Sequence, residues 1–473
     1  MYTKNFFKTS VLLGITVLIF ACSKENGTPT DVDSLSFNIK ATDVFVKSVG
    51  APELTTQQKN DVVVKSYRFL ASFNSKAKQA NPTTLSKTIS HYTVMPVALK
   101  ISDNESISLS MAHLSANGRT NDGYMIFVND NRISYPLAYS DTGNWDLAQS
   151  KELQEFILER FQAHIAEEIK NADEAKETPL TKGGWTPPDN CWIIVENYET
   201  FSYGNCLSGV TWGQNEAACY IWNLPYVLYA PPYGTSHGLA GCVAVALAQI
   251  MAYHQHPTVG IEVDRSYSSG PFTTPYSYNW TNMKLKAKAS TLSMYIPAEN
   301  NAMFDIANLM AEIGYRAPLT YVGWNGISGV GSKGPNTDGT TANAANALST
   351  YYTSTLYNSY NIPAIINSLK VNKPVYMEGT SSGSLIGHAW SIEGYESYYR
   401  YTWWQRSPDL CPISVPPPHE YEEWIYHDYF WCNWGFEGDG NGNYYSGIFN
   451  PVIYGTPNNF SYKTSMLVNI TPK

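Results

Sequence analysis

Hydrophobic residues recur at every fourth position between residues 153 and 169, which predicts an amphipathic helix of about five turns. Its apolar stripe consists of Leu153, Ile157, Phe161, Ile165 and Ile169. Two β-like runs precede it, at 124–128 and 133–139, and the turn-forming residues between them are typical of a β-hairpin. A hairpin covered by this helix predicts a small α+β domain over residues 34–170.

A nearly uninterrupted apolar run predicts a buried helix over residues 241–254, because almost no polar face is left. A second apolar stripe, from Met303 to Ile313, predicts a helix that ends at Gly314 in a left-handed cap. Four short β-compatible runs follow, at 375–377, 388–392, 429–434 and 444–449. For residues 183–473 these elements predict an α+β fold, in which an antiparallel sheet packs beside the buried helix.

Two segments fall outside this regular pattern. Residues 171–190 carry charge, Pro and Gly without an apolar period, so we expect an exposed linker that is cut on activation. The chain length supports a division there, because 473 residues exceed what one hydrophobic core usually holds. The aromatic, Pro-rich stretch 395–428 is either a hairpin arm near a cleft or a surface excursion that covers its own aromatic residues.

Residues 1–21 have the pattern of an export signal, in which Lys4 and Lys8 precede an apolar run. As a helix this run reaches only ~16 Å at ~1.5 Å per residue, short of a ~30 Å hydrocarbon core, so we do not expect it to span a membrane. The sequence Leu-Ile-Phe-Ala-Cys ending at Cys22 resembles a bacterial lipobox, which implies lipidation of Cys22 and a tether over residues 22–33. The protein would then be exported and anchored to a bacterial membrane or cell surface, and cleavage would release the second unit. The alternative is an ordinary signal peptide with an incidental cysteine.

Composition and charge exclude several classes of function. The formal net charge is −9 and no basic block occurs, so the phosphate-neutralising surface of a nucleic-acid-binding protein is missing. The seven cysteines are Cys22, Cys191, Cys206, Cys219, Cys242, Cys411 and Cys432. Their spacing does not provide the C-x-x-C pairs of a structural zinc site, and we expect no metal and no cofactor.

Cys242 follows Gly241 at the first turn of the predicted buried helix, where a reactive thiol is favoured. Unsatisfied backbone N–H groups and the positive helix end lower the pKa of a thiol there, although a cysteine that only fills space in the core is the alternative. A thiolate nucleophile needs a base, and His388 begins a strand-like run that can aim its imidazole. Asn433 could hydrogen-bond that ring, with Trp434 shielding the bond from water. A core histidine and a Gly-rich turn are the structural alternatives for these two segments.

Three sequence blocks resemble the streptopain family of cysteine peptidases. They are Gly241-Cys-Val-Ala-Val-Ala-Leu-Ala-Gln-Ile-Met-Ala-Tyr-His-Gln-His-Pro257, Gly387-His-Ala-Trp-Ser-Ile-Glu-Gly394 and Asn433-Trp-Gly-Phe-Glu-Gly438. They follow the order of that family's nucleophile helix, histidine strand and Asn-Trp-Gly segment. The resemblance implies a papain-like fold, an inhibitory N-terminal propeptide in residues 34–170, and synthesis as a latent zymogen.

The resemblance also implies roles for single residues. Cys242 would be the nucleophile, His388 the general base, and Gln214 a side-chain donor to the oxyanion. Substrate contacts are expected from Gly241, Gly387 and Trp434. Two positions depart from the family pattern: Phe436 replaces a Trp, and residues 216–219 differ from the family's Pro-Tyr-Asn run. An ordinary surface glutamine is therefore the alternative for Gln214.

Together these features predict a secreted cysteine endopeptidase that hydrolyses peptide bonds in protein or peptide substrates through a thioester. An endogenous protease inhibitor is a further partner expected of such an enzyme, besides the membrane that carries the lipid anchor. Two other functions remain open. One is a surface protein that binds peptide or glycan through its Tyr- and Trp-rich second domain and has lost catalysis. The other is a Cys–His acyl transferase, such as a transglutaminase-like enzyme, which passes the acyl group to an amine.

Overall fold

The structure is a computed structural model. It describes residues 45–102, 104–116, 119–145, 151–177, 192–204, 206–214, 232–233, 236–237, 239–263, 274–286, 297–321, 337–380, 387–406, 422–449 and 463–473. The predicted export signal, Cys22 and the tether lie outside these ranges. Within them, no helix combines the length and the apolar character needed to cross a membrane.

The described residues form seven α-helices. They are α1 Thr56–Ala80, α2 Lys151–Glu177, α3 Cys242–His254, α4 Trp280–Lys286, α5 Pro297–Arg316, α6 Thr341–Leu348 and α7 Ile362–Lys370. Before α1, the Thr55 side chain accepts from the Gln58 N–H while the Gln58 side chain accepts from the Thr55 N–H, which is a capping box. The side chains of Thr340 and Asn361 cap α6 and α7.

Most strands join one large sheet. The strands are β1 Phe45–Lys47, β2 Thr88–Lys100, β3 Ser106–Ala116, β4 Arg119–Val128, β5 Ala138–Ser140, β6 Trp192–Gly204, β7 Pro232–Tyr233, β8 Ser236–His237, β9 Val259–Ile261, β10 Pro275–Ser277, β11 Thr320–Tyr321, β12 Thr337–Asp338, β13 Tyr352–Tyr357, β14 Val375–Thr380, β15 Gly387–Arg406, β16 Glu422–Asn433, β17 Gly442–Tyr445 and β18 Lys463–Pro472. The sheet has the order β1-β2-β3-β4-β5-β17-β16-β15-β14-β18-β13, and β6 also pairs with β15. Its β1–β2 pair is parallel, whereas the strands around the predicted site are antiparallel.

This sheet runs from the N-terminal part of the chain into the C-terminal part. The junction is the antiparallel pairing of β5 with β17, in which Tyr139 lies opposite Asn443. Helix α2 packs over the junction, because one hydrophobic core includes its Phe156 together with Trp390 and Trp434 of the C-terminal strands. A second core surrounds α3 and includes residues of β14, β15 and β18. A helix packed on an antiparallel sheet is what the sequence predicts, and the α+β class is confirmed.

The predicted hairpin and helix of the N-terminal part are confirmed, but their ends differ. β4 pairs with β5, yet β5 covers only Ala138–Ser140, since Pro136 cannot donate a ladder hydrogen bond. Helix α2 runs on to Glu177, so the first residues of the predicted linker are helical, although Asn171 and Glu174 are exposed as the prediction requires. A salt bridge of 2.7 Å between Arg132 and Asp173 anchors this part of the helix. Residues 178–191, which hold the rest of the predicted linker, lie outside the described residues.

The predicted end of the second helix is wrong. α5 continues through Gly314 to Arg316, whose guanidinium bonds the Glu312 carboxylate one turn earlier at 2.8 Å. The main chain leaves the helix only afterwards, where the Leu319 N–H donates to the Gly314 carbonyl at 3.0 Å. A favourable ion pair in the last turn thus extends the helix past a glycine.

The last predicted strand is wrong in its second half. β17 ends at Tyr445, and Ser446–Phe449 form a 3-10 helix. Ile448 and Phe449 are both fully buried in one core. Consecutive residues of a strand point to opposite faces of the sheet, so a strand could not bury both side chains in that core.

The stretch 395–428 is a hairpin arm. β15 and β16 pair from Gly394 opposite Trp431 to Trp403 opposite Glu422, and β6 pairs along the other side of β15. Residues 407–421 lie outside the described residues. At the base of the arm Glu396 forms a salt bridge with Lys76 of α1. The arm therefore contacts the N-terminal part of the chain.

Candidate active site

Cys242 is the first residue of α3, and the glycine before it makes this helix start feasible. Gly241 has a φ of 94°, a conformation that residues with a side chain rarely adopt. Cys242 packs against the core that includes Ala389 of β15, and the backbone N–H groups of Val243 and Ala389 favour its thiolate. Because Ala389 directly follows His388, this contact brings the predicted nucleophile and the strand of the predicted base together.

Burial nevertheless raises the pKa of the Cys242 thiol to about 11, and the nearby charge of Glu378 adds to the shift. The backbone N–H groups lower the pKa as the sequence predicts, but desolvation outweighs them. The expected thiolate is therefore not the stable form at neutral pH in this state of the protein. Exposure of the site to water would remove the main cause of the shift.

His388 lies buried near the start of β15, and its Nε2 atom donates to the main-chain carbonyl of Trp434 at 2.9 Å. A carbonyl can only accept, so the neutral ring carries its proton on Nε2 and keeps its Nδ1 lone pair for a proton from a thiol. Burial lowers the pKa of His388 to about 4. The Trp434 carbonyl opposes this shift, and the positive charge of Arg160 adds to it. The base is therefore neutral at neutral pH.

The structure corrects the predicted role of Asn433. Its amide donates to the Val210 carbonyl at 2.8 Å and to the Glu393 carboxylate at 3.2 Å, and accepts from Gln249 at 2.9 Å and from Asn441 at 3.0 Å. All four hydrogen-bonding positions of the amide are thus engaged away from His388. The carbonyl of the next residue, Trp434, orients the ring instead.

Gln214 lies beside the nucleophile, as its predicted role requires. Its main-chain carbonyl accepts from the Ala240 N–H at 3.2 Å, just before the Gly241–Cys242 step. Gln214 is buried, so the alternative of an ordinary surface glutamine does not hold. Donation from its side chain to an oxyanion stays a prediction.

The three residues predicted to contact substrate lie around the same place. Gly241 precedes the nucleophile, and Gly387 precedes His388 and pairs with Thr380, whose methyl group a Cβ would approach to 3.1 Å. The Trp434 indole is fully buried against Trp390, with ring centroids 4.9 Å apart. In this structure the Trp434 carbonyl accepts the hydrogen bond from His388. Substrate contact stays a prediction for all three.

Helix α2 covers the base. The ring centroid of Phe156 lies 5.7 Å from those of both His388 and Trp390. The Arg160 guanidinium lies over Phe156 at 4.3 Å from the ring centroid, and Arg160 is buried too. Phe436 lies 5.3 Å from His388, so the replacement of a family Trp still leaves an aromatic ring against the base. The predicted propeptide thus forms part of the site's walls.

Sequence reasoning missed the polar groups beneath the site. Gln249 and Glu393 are fully buried, although the apolar pattern of α3 and of β15 draws attention away from them. Glu393 accepts hydrogen bonds from Ser208 and Ser391, and burial raises its pKa. A lone amide within an apolar helix is itself a signal, because a buried polar group requires partners.

Sequence comparison with known proteins points to one family of peptidases. The family model described as the Peptidase C10 family matches residues 212–445, a region that includes Gln214, Cys242, His388 and Asn433. Streptopain of Streptococcus pyogenes is 25% identical over 301 residues, which are 59% of this chain and 68% of streptopain. The thiol protease/hemagglutinin PrtT of Porphyromonas gingivalis is 23% identical over 387 residues, 74% of this chain and 36% of that protein. A fragment of Prevotella intermedia prointerpain A gives a TM-score of 0.45 at 18% identity, covering 78% of this chain and 97% of the fragment.

Proposed function

This chain is a cysteine peptidase of the C10 family, similar to streptopain, and on that premise we propose that it is an exported endopeptidase made as a latent zymogen. The packing of Cys242 and α3 against the core that contains Ala389 carries the assignment of the reacting pair, because it brings the thiol at a helix N-terminus next to the strand that holds His388. A surface protein without catalysis would not need this arrangement of thiol, imidazole and backbone donors.

The reaction follows from these positions. The Nδ1 atom of His388 takes the proton of the Cys242 thiol, and the thiolate attacks the carbonyl carbon of the peptide bond. The Cys242 N–H and the Gln214 side chain hold the oxyanion. The C–N bond then breaks, and the imidazolium gives its proton to the leaving amine. Water, deprotonated by His388, attacks the thioester and releases the acid and the free thiol.

Latency follows from the cover over the base. With the pKa of Cys242 at about 11 and that of His388 at about 4, both groups are neutral at pH 7, and the thiolate–imidazolium pair does not form. Phe156 and Arg160 of α2 contribute to this state by packing against His388 and by placing a positive charge near it. Cleavage in the 171–190 segment frees α2 from the catalytic part, and water then reaches the pair.

The location of the enzyme belongs to the same proposal. The basic and apolar order of residues 1–21, followed by polar residues from Ser23, supports export, and the lipobox-like sequence at Cys22 supports a lipid anchor on a bacterial membrane or cell surface. Cleavage in the linker would free the catalytic part from that anchor. An endogenous protein inhibitor that occupies the same cleft completes the set of proposed partners.

The test is casein hydrolysis by the cut full-length chain and its Cys242→Ala variant. We expect Cys242→Ala to abolish hydrolysis, whereas Cys206→Ser, a matched change at a half-buried thiol, leaves it intact. Equal hydrolysis by the Cys242→Ala variant and the parent would contradict the assignment of Cys242 as the nucleophile. Incorporation of a free amine into casein in place of hydrolysis would instead indicate an acyl transferase.

A further inference from the structure

The side chain of Gln249 joins three separate segments of the catalytic part. Its Nε2 atom donates to the Trp212 carbonyl at 3.1 Å and to the Asn433 Oδ1 at 2.9 Å. Its Oε1 atom accepts from the Ser391 hydroxyl at 3.2 Å. The Trp212 carbonyl can only accept, which fixes the orientation of the Gln249 amide. One fully buried side chain thus ties α3 to the loop before Gln214, to β15 and to the end of β16.

Each of these contacts lies one or a few residues from a group that takes part in the reaction. Trp212 is two residues before Gln214, and Ser391 is three residues after His388 on the same strand. Asn433 precedes Trp434, whose carbonyl holds the His388 ring at 2.9 Å. Gln249 lies seven positions after Cys242, so both lie on the same face of α3, about 10 Å apart along its axis.

The carbonyl of Trp434 is itself held from two sides. Gln249 fixes Asn433, and Asn441 donates to the Asn433 Oδ1 at 3.0 Å while accepting from the Trp434 N–H at 2.9 Å. The Asn433 Nδ2 atom donates to the Val210 carbonyl and so has only one orientation. This network therefore leaves the Trp434 peptide little freedom to move.

We propose that Gln249 is a positioning residue, which sets the distances among the nucleophile, the His388-holding carbonyl and the Gln214 oxyanion donor. The proposal rests on the roles that the proposed function gives to those three groups. Each such hydrogen bond makes only a modest net contribution to stability, because folding exchanges hydrogen bonds to water for hydrogen bonds within the protein. What the amide provides here is geometry, because its hydrogen bonds have fixed lengths and directions. Small displacements of reacting groups are costly in rate, since a shift of about 1 Å can lower it ~10²-fold.

The test compares Gln249→Met with a matched variant in the full-length chain cut in its linker. Met keeps the shape of Gln and removes its hydrogen bonds. The control is Asn308→Leu on α5, since Asn308 is also a buried helical amide and bonds the backbone of Ile261 and Val263 and the Tyr278 hydroxyl, away from Cys242. Both variants lose a buried amide network, so thermal unfolding should show similar losses of stability in the two.

The kinetic readout separates positioning from stability. Below both melting temperatures we expect Gln249→Met to lower kcat about 10²-fold with little change in KM, and Asn308→Leu to leave kcat near that of the parent. The alkaline limb of kcat/KM should move to lower pH in Gln249→Met alone, because a displaced Trp434 carbonyl no longer favours the imidazolium form of His388. Equal kcat values and equal pH profiles for the two variants would overturn the proposal.

A milder variant covers the case in which Gln249→Met does not fold. Ser391→Ala removes the hydroxyl that donates to Gln249 and to Glu393, and we expect a smaller fall in kcat with the same shift of the alkaline limb. An unchanged profile for Ser391→Ala would then count against positioning by Gln249. A parent enzyme that neither hydrolyses casein nor reacts with a thiol-directed peptide epoxide would mean instead that the proposed function fails.

Discussion

The ring of Phe156 lies edge-on to the imidazole of His388, with the two centroids 5.7 Å apart and the ring planes 63° apart. Phe156 belongs to the predicted propeptide and His388 to the catalytic part, so this contact joins the covering unit to the base itself. Phe156 also lies 6.2 Å from Trp434, the residue whose carbonyl orients that base. Truncation of Phe156 should therefore disturb both the His388 imidazole and the Trp434 carbonyl that orients it.

Truncation of Phe156 should weaken latency. Phe156→Ala removes a fully packed aromatic ring, a change that typically costs ~3–5 kcal/mol, and here the loss falls on the contact between α2 and the site. We expect the uncut precursor to hydrolyse peptide substrate measurably faster than the parent precursor. Phe73→Ala is the control, because Phe73 is a partly buried ring that packs on Tyr139 in a different core. A precursor with Phe156→Ala that is no more active than one with Phe73→Ala would contradict the role of this contact.

Removal of the Arg160 charge should raise the pKa of His388. A nearby positive charge disfavours the imidazolium, so Arg160→Met should move the His388 pKa upward from about 4. NMR titration of the His388 ring in a Cys242→Ala precursor measures this directly. Arg119→Met, at an exposed position of β4, should leave the titration unchanged. An unaltered His388 titration in Arg160→Met would show that burial alone sets the pKa.

Local patterns predicted the reacting pair and the elements that carry it, but not the groups that hold it. The apolar run after Cys242 and the strand-like run after His388 are visible in the sequence, and both elements form as predicted. The choice between Asn433 and the Trp434 carbonyl as the orienting group depends on contacts with Val210, which is distant along the chain. No local periodicity could reveal it.

The packing of α2 over the site could not be predicted from local sequence patterns either. The apolar stripe that predicts α2 indicates which face of the helix is buried. It does not indicate that Phe156 contacts His388, because that contact depends on the pairing of β5 with β17. Burial against the separate core around α3 explains why the thiol pKa rises although its helix position favours a fall. Propensity and local charge determine the elements, whereas desolvation by a distant part of the chain determines the state of the site.

Acid pH should loosen the contact between the N-terminal unit and the catalytic part, because His164 lies at that contact. This buried histidine of α2 accepts or donates a hydrogen bond with the Tyr135 hydroxyl at 2.9 Å and packs on Tyr445 of β17. His427 and Glu168 are the other titratable side chains near Tyr135. Burial lowers the pKa of His164 from its ordinary value near 6.5 to about 4. The neutral ring therefore stabilises the folded precursor fully above pH 6.5, and this stability is lost as the pH falls toward 4.

A pair of variants isolates this effect. We expect the melting temperature of a Cys242→Ala precursor to fall between pH 7 and pH 4, and to fall less steeply when His164→Gln is added. Each unit of pKa shift corresponds to about 1.4 kcal/mol. Identical slopes for His164→Gln and the parent would exclude His164 as a contributor.

The most direct test of the account is the rate at which Cys242 reacts with iodoacetamide in the uncut and the cut chain, followed site by site by mass mapping across pH. For the uncut precursor we predict slow alkylation of Cys242 at pH 7, because its thiol is protonated at that pH. Alkylation should become faster as the pH rises toward 11. After cleavage in the linker, Cys242 should become the fastest-reacting cysteine at neutral pH. Equal rates at pH 7 before and after cleavage, or faster reaction of another cysteine in the cut chain, would contradict a nucleophile held latent by the N-terminal unit.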